Sequence, residues 1–265
     1  MELPKVRSEV VDYNPGFIIL GGTPKSGKST LMASLDNNLI IDCENGYRAL
    51  SVMKVQARTA KDLFDIARAV KQEIDNNNGT FPYRFITIDN ASRVEEMSLP
   101  FAASLYRKTQ MGANWGKKLG PDGRPLKDAN NKPIDDPRAD VRTLPNGAGY
   151  LYLRQAVKQV IDMFKPLCET LILITHVKDK TITRNNVEMS EMSIDLAGKL
   201  GDIICGEADA IGLVYRDKNK TYISFEGGDN VIREARPAHL RGKKFCVITS
   251  DEDDNITVDM SKIFI

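Results

Sequence analysis

Phe17-Ile18-Ile19-Leu20-Gly21-Gly22-Thr23-Pro24-Lys25-Ser26-Gly27-Lys28-Ser29-Thr30 is the stretch on which the fold of this chain turns. A short apolar run, read as a buried strand, enters two glycines. Residues 22–29 then fit the pattern G-x-x-x-x-G-K-[ST], and residues 28–35 read as a helix. A strand entering and a helix leaving is the context in which this pattern cradles phosphate. Gly22, Thr23, Pro24, Lys25, Ser26, Gly27, Lys28, Ser29 and Thr30 are therefore the expected nucleotide-binding residues. Backbone N–H groups and the start of the helix make the concave anion site. Lys28 is expected to reach the terminal phosphates and the Ser29 hydroxyl to ligate Mg²⁺, with ATP as the nucleotide.

Three further apolar runs end in polar residues. Asn38–Asp42 reads as a second buried strand and leads into Cys43-Glu44. Phe85–Ile88 is a third, closed by Asp89, and Thr170–Thr175 a fourth, closed by His176. In parallel sheets the site residues gather beyond the carboxyl ends of strands. On that rule Asp89 joins Ser29 as a metal ligand. Glu44 is placed to activate water, and His176 to sense the γ-phosphate. Lys28, Glu44, Asp89 and His176 form the expected catalytic set.

Between these runs lie helical patterns. Thr59–Asp62 reads as a capping box, followed by Leu63, Ile66, Ala67, Val70 and Ile74 at helical spacing until Asn76–Gly79 stops them. Residues 91–107 read as helical with a break at Pro100, and Tyr150–Glu169 as an amphipathic helix. Ala210–Tyr215 and Thr221–Phe225 read as a C-terminal antiparallel hairpin. Strands alternating with helices predict an α/β fold with a mostly parallel central sheet flanked by helices. No internal repeat is expected. Residues 178–193 read as a polar loop. Residues 107–149 form a long basic loop, with nine Lys/Arg against five Asp/Glu, five prolines, six glycines and the only tryptophan.

The chain has 265 residues, 42% hydrophobic and 28% charged, with a net charge of +1. That excludes a uniformly basic nucleic-acid coat but leaves room for a local basic surface. Cys43, Cys168, Cys205 and Cys246 are too scattered for a zinc ribbon or a redox pair. No apolar run approaches membrane-spanning length, and Met1–Lys5 lacks the apolar core of a signal peptide. A cytoplasmic protein without membrane contact is expected.

The order of these features resembles the RecA-like ATPase core: phosphate loop, Ile41-Asp42-Cys43-Glu44, an acid-tipped strand, then a polar strand tip followed by a basic loop. Residues 22–30, 175–180, 196–200 and 210–216 are similar to phage-encoded AAA-domain nucleotide-binding proteins, which include RecA-like single-strand-annealing ATPases. The resemblance implies one RecA-like P-loop NTPase domain over residues 1–265. It implies an ATPase acting on single-stranded DNA in phage recombination or annealing, as a ring or filament of identical subunits in the host cytoplasm. A single-strand-binding protein is a further candidate partner. In such proteins the loops after the third and fourth strands face DNA. Trp115, Lys117, Lys118, Lys178 and Lys180 are then the DNA-binding candidates, with rings stacking bases and cations tracking phosphates. Lys178, Lys180, Arg216 and Lys218 are candidates for a cation donated across a subunit boundary. The alternative is a P-loop NTPase with an assembly or packaging role and no recombination activity. A small-molecule kinase ranks last, because residues 107–149 hold only four arginines where an Arg-rich lid is needed.

Overall fold

A computed structural model describes residues 12–184, 187–228, 233–251 and 255–265, without the side chains of 182–191. Met1–Lys5 lies outside the described residues. In chain order the elements are β1 (Phe17–Gly21), α1 (Lys28–Ala33), β2 (Asn38–Asp42), β3 (Lys54–Gln56), α2 (Ala60–Asn76), β4 (Phe85–Asp89), α3 (Ala91–Met97), α4 (Leu99–Arg107) and α5 (Gly149–Phe164). They continue with β5 (Thr170–Thr175), β6 (Val177–Arg184), β7 (Val187–Ile194), α6 (Leu200–Glu207), β8 (Ala210–Asp217), β9 (Lys220–Ser224), β10 (Glu234–Ala235), β11 (Lys244–Ser250) and β12 (Ile256–Val258).

The main sheet runs β12-β11-β9-β8-β1-β5-β4-β2-β3, with β10 paired to β8. From β8 to β3 every neighbour is parallel; from β8 to β12 every neighbour is antiparallel. This is the expected α/β fold with a mostly parallel central sheet, and the predicted C-terminal hairpin is extended by two further strands. β1, β2, β4 and β5 are buried along their whole length. Both faces are covered, which is why they read as unbroken apolar runs rather than alternating ones. Ile19, Ile41, Ile88 and Leu173 pack on one side against α2 and α5; Ile18, Ile40, Ile172 and Ile174 pack on the other against α1 and the C-terminal strands.

The helices follow their local signals. Thr59 and Asp62 make the capping box, and Leu63, Ala67, Val70 and Ile74 are buried. The 91–107 helix divides at Ser98, so that Pro100 falls in the first turn of α4, where its missing N–H costs nothing. α5 ends at Phe164 rather than at Glu169, and Lys165–Leu167 forms a 3₁₀ turn. Pro166 has no N–H to continue the helix.

Two stretches read as loops are ordered. Residues 178–184 and 187–193 lie in the antiparallel hairpin β6–β7, paired from Val177–Ile194 to Arg184–Val187. Its Thr, Val and Ile content suits strands, but its polarity on both faces hides the alternation that marks one. Asn185 and Asn186 lie outside the described residues.

Within 107–149, residues 116–139 build a compact arm from three successive eight-residue units, so the chain does contain a repeat. Bridges join Leu119 to Pro125, Lys127 to Pro133 and Lys117 to Asp135. Leu126 N–H donates to Lys118 C=O, Ile134 N–H to Leu126 C=O, and Lys118 N–H to Ile134 C=O, closing a ring at 2.8–2.9 Å. Gly120 N–H donates to Arg124 C=O and, eight residues on, Asp128 N–H to Lys132 C=O. Gly123 and Asn131 hold the same left-handed turn position. Asp136 N–H then returns to Gly116 C=O at 2.9 Å, so the arm ends where it began.

Candidate functional site

The phosphate loop begins where β1 stops. Gly22 is obligatory there, because a Cβ would lie 2.4 Å from Val214 O and 2.8 Å from Ser26 Oγ. Gly27 turns the chain into α1 at φ 98°, a left-handed conformation that suits glycine. Lys28 is buried at 7% exposure. Its ammonium donates to Gly22 O and Thr23 O, both at 2.8 Å, and lies 3.4 Å from Ser26 Oγ. Burial pulls its pKa down, against the opposing pull of Asp89 and Glu44. The loop thus holds a cation at its centre, bonded to its own carbonyls and available to phosphate.

Register brings the other strand tips to the same level. Gly21 lies opposite Thr175, and Asp89 opposite both Asp42 and Ile174. A cleft of about 340 Å³ is lined by Lys28, Ser29 and Thr30 on one side and by Glu44, Asp89 and His176 on the other. The expected catalytic residues therefore converge, although they come from four places in the chain.

Asp42 organises the segment between β2 and β3. Its carboxylate accepts the N–H groups of Glu44 (3.2 Å), Gly46 (3.1 Å) and Tyr47 (3.4 Å). Three backbone donors around one buried carboxylate fix the loop that carries Glu44. The Glu44 carboxylate remains part-exposed, with Arg93 Nε 3.6 Å away; Arg93 also binds Glu96 at 2.6 Å.

Tyr47 is a site residue that the sequence reading missed. It is 1% exposed, and its hydroxyl donates to Asp89 Oδ2 at 2.7 Å. The hydroxyl therefore ties the loop after β2 to the tip of β4. Burial, reinforced by the charge of Asp89, pushes the phenol pKa upward. Burial likewise raises the Asp89 carboxyl, while the Tyr47 hydroxyl and Lys28 pull it down. The turn residues Asn45-Gly46 are the only sequence hint that Tyr47 folds back.

Two buried polar atoms lack a partner here: His176 Nδ1, from a residue lining the cleft, and Asn90 Nδ2, beside Asp89. His176 O accepts from Asp195 N at 2.8 Å, and β6 starts at the next residue. The base of the β6–β7 hairpin is thereby tied to the strand tip at the cleft.

The DNA-binding candidates do not line the cleft. Trp115 is half-buried against Tyr106 (ring centroids 5.3 Å apart) with the Arg107 guanidinium over it. Lys117 pairs with Asp135 at 2.7 Å. Lys178 binds Asp195 at 3.0 Å, and Lys180 binds Asp202 at 3.2 Å. Lys118 is exposed on the arm. Arg216 stands next to the phosphate loop of its own chain. Burial pushes the Cys43, Cys168 and Cys205 thiols up to about 12, so these pack as small apolar residues.

Residues 15–118 match the AAA domain family. That segment runs from the strand before the phosphate loop to the first turn of the arm. A crystal structure of a KaiC-like protein from the hyperthermophilic archaeon Pyrococcus horikoshii is similar at 12% identity, over 93% of this chain and 91% of that one, with a TM-score of 0.43. Comparison with curated proteins gives no match. Among the described residues no helix is long and apolar enough to cross a membrane.

Proposed function

We propose that the protein is a Mg²⁺-dependent ATPase of the RecA-like type that acts on single-stranded DNA in recombination or annealing, as an oligomer of identical subunits. The observation that carries the catalytic part is the convergence of Glu44, Asp89 and His176 on the cleft that holds Lys28 and Ser29. Phosphoryl transfer asks a protein mainly for positioning and charge stabilisation. Lys28 exchanges two loop carbonyls for phosphate oxygens. The Ser29 hydroxyl and Asp89 carboxylate are hard oxygen donors of the kind Mg²⁺ takes, with phosphate and water filling its other positions. When bound, Mg²⁺ neutralises charge on the phosphates. Glu44 accepts the proton of the attacking water, while Arg93 and the Asp42-capped loop restrain where its carboxylate points. His176 has a ring nitrogen to spare for the γ-phosphate, and its link to Asp195 passes any displacement into the β6–β7 hairpin.

Exposed Lys118, Arg124, Lys127, Lys132 and Arg138 on the arm support the nucleic-acid part of the reading, since cations of this kind track a phosphate backbone. The packing of Trp115 against Tyr106 favours the second reading, an assembly or packaging role, because it withdraws the expected stacking ring. Steady-state ATP turnover with and without Mg²⁺, and with and without single-stranded DNA, separates them. Mg²⁺-dependent turnover that DNA stimulates is expected. Mg²⁺-dependent turnover indifferent to DNA leaves the assembly role, and no turnover overturns the enzyme.

A further inference from the structure

Asn90 Nδ2, just past β4, and His176 Nδ1, just past β5, are buried and lack a hydrogen-bond partner among the described residues. Leaving a buried polar group unpaired is costly, and two at neighbouring strand ends call for a reason. Asn90 is 1% exposed and does not line the nucleotide cleft. Its Oδ1 accepts from Arg93 N–H at 3.1 Å as the N-cap of α3. Only an oxygen can take that N–H, so the free atom is the amide nitrogen, a donor. His176 does line the cleft, and Nδ1 is the buried nitrogen of its ring. Nε2 is therefore the nitrogen left to face the cleft.

Register and a shared anchor bring the two residues together. Asp89 lies opposite Ile174, so Asn90 follows at the level of Thr175, one residue before His176. Asp195 is then held from both sides. Its N–H donates to His176 O at 2.8 Å, and its own O accepts from Ser92 Oγ at 2.8 Å. The first turn of α3 and the tip of β5 thus grip the same residue.

The two unpaired atoms are chemically complementary in one arrangement. An ionised phosphate oxygen only accepts, so Nε2 must carry a proton to bind it. In neutral imidazole Nδ1 is then a bare acceptor. Which nitrogen keeps the proton is set by the bond the other one makes. An amide N–H aimed at Nδ1 selects the form with the proton on Nε2.

We propose that Asn90 is the positioning residue of His176: with nucleotide bound, its amide donates to Nδ1 and holds the ring proton on Nε2 for the γ-phosphate. Bonds of this kind are often long before the ligand arrives and tighten with it. The inference rests on the ATPase reading of the cleft and adds the group that sets the form of its histidine.

The chain has two histidines, His176 and His239, so long-range ¹H–¹⁵N correlation spectra read each ring separately. With Mg²⁺ and a non-hydrolysable ATP analogue bound, His176 is expected in the Nε2–H form. Asn90→Ser keeps an oxygen to cap α3 and removes the amide, so the His176 signals should move to a mixture of the two forms. Its turnover should fall about tenfold with KM little changed, the scale of a lost group behind a working histidine. In a His176→Ala background the same substitution should lower turnover no further. A proton on Nδ1 in the unaltered protein, an unchanged spectrum in Asn90→Ser, or the same loss of turnover without His176 overturns the proposal. Absence of turnover in the unaltered protein overturns the ATPase reading instead, and the ring spectrum still decides the bond between Asn90 and His176.

Discussion

Replacing Tyr47 by Phe removes one oxygen from a fully buried side chain and changes nothing else in shape. The lost bond is the 2.7 Å contact to Asp89 Oδ2. A hydrogen bond to a charged group contributes about 1.5–3 kcal/mol, against about 0.5–1.5 kcal/mol between neutral groups. Asp89 is only 8% exposed, so water does not substitute for the phenol. Tyr47→Phe should therefore cost about 1.5–3 kcal/mol in nucleotide-free protein. For a chain of this size that lowers Tm by about 3–12 °C. The same substitution in an Asp89→Asn background meets a neutral acceptor and should cost about 1 kcal/mol less. Urea denaturation of the four proteins at neutral pH gives the cycle. Equal costs in the two backgrounds would show that the hydroxyl gains nothing from the charge of Asp89, and no cost in either would show that Tyr47 stabilises by packing alone; either result refutes the charged hydrogen bond.

Glu44→Gln should bind ATP normally while turnover drops about 10²-fold or more, the effect of a lost general base; unchanged turnover in single-turnover assays moves that role to another carboxylate. Gly22→Ala should cost about 1–3 kcal/mol by overpacking against Val214 O and Ser26 Oγ and should also abolish nucleotide binding; normal ATP affinity in a folded variant contradicts the close approach. Burial is the main cause holding the Glu95 carboxyl above its usual range, with Ala197 N–H and Lys178 opposing it. A raised carboxyl withdraws stability as pH climbs from 4.5 through the folded value. The Tm difference between Glu95→Gln and the unaltered protein should thus shift in favour of Gln over that window, and a difference that does not vary with pH contradicts this. Trp115→Ala should loosen the arm, seen as faster amide exchange at residues 116–139, with no change in ATP affinity; unaltered exchange would mean that Trp115 does not hold the arm in place.

The parts of the fold legible in the sequence are those where one physical demand dominates. β1, β2, β4 and β5 are buried on both faces, so their composition marks them and their ends point to Glu44, Asp89 and His176. The capping box of α2 and the break at Pro100 are local chemistry and are read locally. Tyr47 is different: its partner lies 42 residues further on, and nothing in the sequence around Tyr47 records that contact. β3 is short and mostly exposed, so it lacks an apolar signature. In the arm, Arg124-Pro125-Leu126 and Lys132-Pro133-Ile134 repeat a basic-Pro-aliphatic pattern eight residues apart. The first unit departs from it, with Lys117-Lys118 where the others have Pro-Leu and Pro-Ile, and two copies of a three-residue pattern are too short to stand out as a repeat.

The arm enters and leaves at one point, and a single guanidinium clasps that point. Arg107, the last residue of α4, donates to Gly116 O (3.1 Å) and Asp136 O (3.2 Å) and pairs with Asp135 (3.3 Å). Because its backbone ring closes upon itself, the arm is joined to the rest of the molecule through that clasp and the packing of Trp115 on Tyr106. Its outer turns, around Gly123, Asn131 and Arg138, can exchange residues without disturbing the strand register that aligns the nucleotide cleft. The strand register and the arm are thereby structurally separable. Variation among related chains should concentrate at those three tips, much as it does in the loops of an antibody frame.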